Sequence, residues 1–230
     1  SSTQEPLTKE EYYAKTVLVP IGRPDTASQM LQLAGELVHP TDGLVIALVV
    51  AMGDAELANK VTDEVKQVIE DFRAHDEGHE VEMVTEIAPS ISRGILDVAR
   101  ERNADVIILG VQQSAVRQVK LGTVVENVIK AAPCGVLIYR SSTSPSFNRV
   151  VIPIDGTLQS ASATKLGISL ALQHNATVRQ MSVQYNYQYD ADLEQEMRKY
   201  EAYMPSDRRP HKQIVVGRTP ERAILKELNE

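Results

Sequence analysis

Short apolar runs rich in valine and isoleucine alternate along the chain with longer segments whose apolar residues return every three to four positions. Continuous apolar runs suit strands buried on both faces of a parallel sheet, and the longer period suits helices packed on those faces. In the first half the order is regular. Thr16–Ile21 reads as a strand, and Pro24 opens a helix on which Met30, Leu31, Ala34, Leu37 and Val38 share one face. Gly43–Met52 is a second strand, and Asp54 is placed to cap a helix running to about Ala74, with Leu57, Val61, Val65, Val68 and Ile69 as its buried stripe. A third strand follows over Val81–Ile87, a third helix over Ile91–Arg102 and a fourth strand over Asp105–Leu109. Thr123–Ala131 is a fourth helix, stopped by Pro133, and Gly135–Tyr139 is a fifth strand. This order predicts an α/β domain with a doubly wound parallel sheet and right-handed crossovers, filling 16–140.

The segment "SSTSPSFN", Ser141–Asn148, has the composition of a linker. Beyond it the pattern starts again and fills 149–230. Val150–Ile154 repeats Val17–Ile21, a helix over Ala161–Leu172 repeats the first helix, and a strand over Thr177–Gln184 repeats the second. Leu193–Tyr203 reads as a helix, Gln213–Val216 as a strand and Pro220–Leu228 as a helix whose "AILKEL" echoes "GILDVA" at Gly94–Ala99. The second copy has no counterpart of the fourth and fifth strands, which would leave an unpaired inner edge. The expectation is an incomplete second domain, or an edge covered by a partner. Residues 1–15 stand apart: "LTKEEYYAK" carries a Thr8/Glu11 capping pattern and reads as a connector, or as a tag remnant.

Composition narrows the classes. The 230 residues are 43% hydrophobic, enough for two packed cores, and the net charge of −7 argues against nucleic acid or an anionic membrane surface as partner. The short basic cluster Arg208, Arg209, His211 and Lys212 reads as a solvated loop. Cys134, the single cysteine, lies in the apolar run "CGVLIY" and reads as a buried small hydrophobe. The longest apolar stretch, "GLVIALVVAM", is too short to cross a bilayer as a helix, so a soluble chain is expected.

In a doubly wound sheet the ligand crevice lies beyond the carboxyl ends of the strands where their order reverses, here the first and fourth. That places Gly22 opposite Gly110, with Gly122–Thr123 opening the following helix. "VLVPI" followed by "DVIILGVQQSAVRQVKLGTVVENVIKAAPCGVLIYR" resembles the universal stress proteins over nearly the whole chain. Many members bind ATP through a loop of the form G-x-x-G-x9-G-[ST] after the fourth strand, with an acidic residue after the first. On that resemblance Gly110, Gly122, Thr123 and Asp155 are the residues of a residual nucleotide site. Here the second motif glycine is Gln113, the spacing to Gly122 is one residue short, and the acid's position holds Gly22. A side chain at a required glycine blocks close backbone approach to a phosphate. The second copy keeps the acid as Asp155 but lacks the phosphate loop. Gly122–Thr123 also reads as an ordinary helix start, and Asp155 as a turn residue in "DGT". No cofactor is therefore expected, with ATP as the alternative.

The chain has none of the patterns G-x-x-x-x-G-K-[ST], G-x-S-x-G or H-E-x-x-H, and no paired-cysteine metal spacing. His75 and His79 with Asp76, Glu77 and Glu80 suggest a metal site only loosely, because Gly78 interrupts the helical face; a solvated loop is the simpler reading. "YNYQYDAD", Tyr185–Asp192, is either an interaction surface or a partly buried loop.

The opening "VLVPIGRPDTASQMLQLAGEL", with a small residue in place of the acid, is similar to the stress-protein-like tails of prokaryotic secondary transporters: amino-acid permeases, cation–chloride cotransporters and cation/proton antiporters. This resemblance implies a non-catalytic cytoplasmic regulatory domain attached to a membrane domain of the same polypeptide. It also implies a homodimer formed through the fifth strand, Cys134, Val136, Leu137, Ile138 and Tyr139. The alternative is a free-standing cytoplasmic tandem stress protein that binds ATP.

Overall fold

The computed structural model describes residues 13–53, 55–75, 79–111, 122–140, 148–154, 158–184, 194–195, 197–198, 201, 204 and 209–216. The chain divides into two compact units, one over Ala14–Pro145 and one built on Ser146–Glu230.

In the first unit the elements are β1 (Thr16–Pro20), α1 (Pro24–Leu37), β2 (Leu44–Ala51), α2 (Ala55–His75), β3 (Glu80–Ile87), α3 (Ile91–Glu101), β4 (Val106–Val111), α4 (Thr123–Ala131) and β5 (Gly135–Arg140). They form a five-stranded parallel sheet in the order β3-β2-β1-β4-β5. The order reverses between β1 and β4, as the doubly wound reading requires. Both faces are buried because the middle of every inner strand is a continuous apolar run: Val17, Leu18, Val19, Ile46, Ala47, Leu48, Ile107 and Ile108 are all 0% exposed. Leu18, Ile46, Leu48 and Ile107 pack with Ile95, Val98 and Ala99 of α3 and with Val125 and Val128 of α4. The alternate residues face α1 and α2, which bury Met30, Leu31, Leu37, Val65 and Ile69.

Pro24 acts as expected, and further local chemistry sets the other helix ends. Pro24 occupies the first turn of α1, and Ser90 caps α3 by accepting the Arg93 N–H at 3.3 Å. Asn103 and Asn175 take positive φ, 49° and 56°, just beyond α3 and α5 (Leu158–Gln173). The amides that follow, Ala104 and Ala176, return to the carbonyls of Ala99 and Ala171 at 2.9 and 2.8 Å, closing each helix end.

The second unit contains β6 (Arg149–Pro153), α5, β7 (Thr177–Gln184) and β8 (His211–Val216), with a three-stranded parallel sheet in the order β6-β7-β8. The repeat holds at the level of single hydrogen bonds. Ile21 N–H reaches Leu48 O and Ile154 N–H reaches Met181 O, both at 2.8 Å; Leu44 N–H reaches Lys15 O at 2.7 Å and Thr177 N–H reaches Asn148 O at 3.0 Å. Among the described residues β6 pairs with β7 alone.

Most expected boundaries hold to within one residue, and three move further. The fourth strand runs two residues further, to Val111, so Gly110 belongs to the ladder and pairs with Tyr139. The helix expected from Ala161 begins at Leu158, and the strand expected from Gln213 begins at His211. Within the helix expected over Leu193–Tyr203, residues 194–195 and 197–198 are helical, and Met197 is buried with Ile152, Ile154 and Ile168. The helix expected over Pro220–Leu228, the Asp54 cap and the Tyr185–Asp192 segment lie outside the described residues.

Candidate functional site

The crevice is framed by the carboxyl ends of β1 and β4, which pair over Val17–Val106 and Leu18–Ile107. Gly22 follows β1. A β-carbon there would meet no atom within 4 Å, and its backbone lies outside the left-handed region, so neither packing nor conformation demands glycine. Arg23 and Asp25 stand beside it at the start of α1, joined at 3.1 and 2.6 Å, each with 57% of its side chain exposed. This cation at the mouth is thus already matched by a carboxylate, which weakens its pull on an anion.

Gly110 has a different reason to be glycine. A β-carbon would stand 2.8 Å from the Met30 sulfur, and Met30 is only 2% exposed. At the first glycine of the loop motif β4 and α1 therefore approach closely, and a larger residue would require the Met30 side chain to shift. Tyr139, its ladder partner, donates its hydroxyl to Gln29 Oε1 on α1 at 3.3 Å, and burial pushes the phenol upward from its ordinary pKa.

Gly122 is the N-cap of α4, with φ −67° and ψ 158°, and no side chain caps the first turn. A β-carbon there would again meet nothing within 4 Å. Thr123 follows, exposed. The uncapped amides can accept an anion, but Glu126 sits in the same turn and opposes negative charge. Gln113 and the remainder of the loop, 112–121, lie outside the described residues, as does Asp155. The structure thus brings Gly22, Gly110 and Gly122–Thr123 to the same end of one sheet; Asp155 follows β6 in the other unit.

The strand named for self-association, β5, is the sheet edge. Cys134, Val136, Leu137 and Ile138 are half-buried, whereas Tyr139 is buried at 8% exposure. Val136 and Ile138 lean on the α3–α4 core, and Ile129 of α4 is 43% exposed. Burial, with Asp105 adding, pushes the Cys134 thiol up to about 11, which favours the neutral thiol at ordinary pH. The opposite edge, β3, is studded with Glu80, Glu82 and Glu86. Arg102 forks onto Glu82 at 2.9 and 2.5 Å, and that partner raises the guanidinium pKa.

Sequence reasoning missed two contributors. Asp105, read as the first residue of a strand, instead precedes it and binds the backbone of Lys15 and Thr16 through one carboxylate oxygen at 2.8 and 2.9 Å. Its charge, unusual in a buried strand, was the available signal. The packing of Met30 on Gly110 left no trace in the pattern. Among the described residues no group of three His, Cys, Asp or Glu is placed to hold a metal, and no helix is long and apolar enough to cross a membrane.

Comparison with known proteins agrees with this geometry. The Na(+)/H(+) antiporter NhaS5 of Synechocystis sp. is 31% identical over 150 residues, a match covering 60% of this chain and 21% of the antiporter, so the chain spans only about a fifth of that relative. A universal stress protein from Archaeoglobus fulgidus superposes with a TM-score of 0.66 at 17% identity, covering 95% of this chain and 83% of that one. The cytoplasmic domain of a prokaryotic cation chloride cotransporter superposes with a TM-score of 0.57 at 14% identity, covering 90% and 80%. These two likenesses establish the fold. The universal stress protein family model matches residues 14–140, more than half of the sequence, and the chain is a member of that family.

Proposed function

We propose that this chain is the non-catalytic, self-associating regulatory region of a membrane secondary transporter coupled to monovalent cations, lying on the cytoplasmic side. The observation that carries the reading is the 31% identity to a Na(+)/H(+) antiporter many times longer than the matched segment. The crevice supports it. Gly22 supplies no acid to a nucleotide, Arg23 is matched by Asp25, and a β-carbon at Gly110 would press on the Met30 sulfur. The two sheet edges support self-association through β5: β3 carries glutamates, which discourage edge pairing, while β5 has apolar residues up to Arg140. A change in dimer packing would then bias the attached membrane domain between its states.

A second reading, a free-standing tandem that binds ATP, is favoured by the uncapped first turn of α4 and by the open space before Gly22 and Gly122. Fractionation separates the two. An antibody raised to this chain should detect, in cells of its source, a protein far larger than 230 residues that stays in membranes after carbonate washing. A wash-released protein of about the chain's own size would sink the transporter reading.

A further inference from the structure

The two units repeat one fold with different interiors. Among the described residues the fully buried polar side chains are Thr164, Ser169, Gln180 and Ser182, all in the second unit. The repeat gives the two on β7 a counterpart, because β1–β2 and β6–β7 share one register: Val17 pairs with Val45 and Val150 with Val178. Gln180 therefore stands where the first unit has Ala47, and Ser182 where it has Val49. On the same alignment Gln184 replaces Ala51, and Gln213, beside Met181, replaces Val84, beside Leu48.

The three glutamines among these substitutions are not compensated. Gln180 is 0% exposed, and neither its Oε1 nor its Nε2 has a hydrogen-bond partner among the described residues. Buried Oε1 atoms of Gln184 and Gln213 are likewise unpartnered, whereas among the described residues of the first unit the Thr62 hydroxyl on α2 is the single such atom. A buried amide without partners forfeits the hydrogen bonds that water gives it in the open state.

We infer that the second unit is the labile half of the tandem: it opens cooperatively on its own, at lower free energy than the first unit, and is the two-state element on which a ligand or partner acts. This goes beyond the transporter reading and does not depend on it. Opening lets water reach the amides of Gln180, Gln184 and Gln213, while closure must overcome their desolvation. Whatever supplies partners to them, or stabilises the closed sheet, shifts the balance.

The test is native-state hydrogen exchange on the intact chain, comparing β7 with β2. Each lies between two parallel neighbours, so their ladders are alike. Protection in Thr177–Gln184 should be at least about tenfold lower than in Leu44–Ala51, the scale set by an unpaired buried amide. Gln180→Met should raise protection in β7 and leave β2 unchanged, and the reciprocal Ala47→Gln should lower it in β2. Equal or greater protection in wild-type β7 would overturn the inference. So would a folded Gln180→Met protein with unchanged or lower β7 protection. Should Gln180→Met not fold, Ala47→Gln with β2 protection unaltered overturns it on its own.

Discussion

Asp105 and Thr16 bind each other twice: the Thr16 N–H donates to Asp105 Oδ2 at 2.9 Å, and the Asp105 N–H donates to Thr16 O at 2.9 Å. The pair fastens the amino ends of β1 and β4, the two strands whose other ends frame the crevice. Asp105→Ala leaves the amides of Lys15 and Thr16 without their acceptor and should destabilise the first unit by about 1–3 kcal/mol. Asp105→Asn keeps an acceptor oxygen and should cost less. Urea unfolding of both variants checks the order.

Gly110→Ala forces a β-carbon against the Met30 sulfur, which must shift within a full core. Methionine adapts, so the cost should be modest, about 1 kcal/mol. Combined with Met30→Ala, the Gly110→Ala substitution should become nearly neutral. Additive losses in the double-mutant cycle would show that the contact is not what selects glycine.

Leu137 lies on β5 with its backbone paired to Ile108. If β5 is the dimer edge, Leu137→Asp should give monomers in sedimentation while circular dichroism stays unchanged. Unaltered dimer mass would remove β5 from the interface.

Millimolar MgATP should not raise the melting temperature of this chain. A ligand at a hundred times its dissociation constant contributes about 2.7 kcal/mol, which a melting curve resolves. A clear shift, abolished by Gly122→Arg, would favour the nucleotide-binding alternative. Gly22→Asp enters open space and should leave stability within about 0.5 kcal/mol, so it tests the missing acid without disturbing the fold.

The Cys134 thiol should resist alkylation at pH 8 in the folded chain and react on unfolding. Its pKa rises from 9.0 to about 11 on folding, because burial disfavours the thiolate. The unfolded chain therefore releases this proton first as pH rises. The stability linked to the thiol is fully present below pH 9 and is lost through about pH 11, a loss that Cys134→Ala should remove. Unfolding titrations of the two proteins across that range measure it.

Much of this protein was determined by local chemistry that the sequence displays. Apolar runs such as "VIAL" at Val45–Leu48 suit a strand buried on both faces of a parallel sheet, and Pro24 suits the first turn of a helix. The repeat was legible for the same reason, since its signal is the order of such runs. The identities of Gly22 and Gly122 could be read too, but not why they are glycines. Long-range neighbours decide that: Met30 makes Gly110 a packing residue, while open space leaves Gly22 and Gly122 unconstrained. Asp105 belongs with these, because its bonds reach residues 89 and 90 positions away. The polar interior of the second unit also waited for the structure. A glutamine within an amphipathic strand reads as exposed, and only the packing around Gln180 placed it where no water reaches.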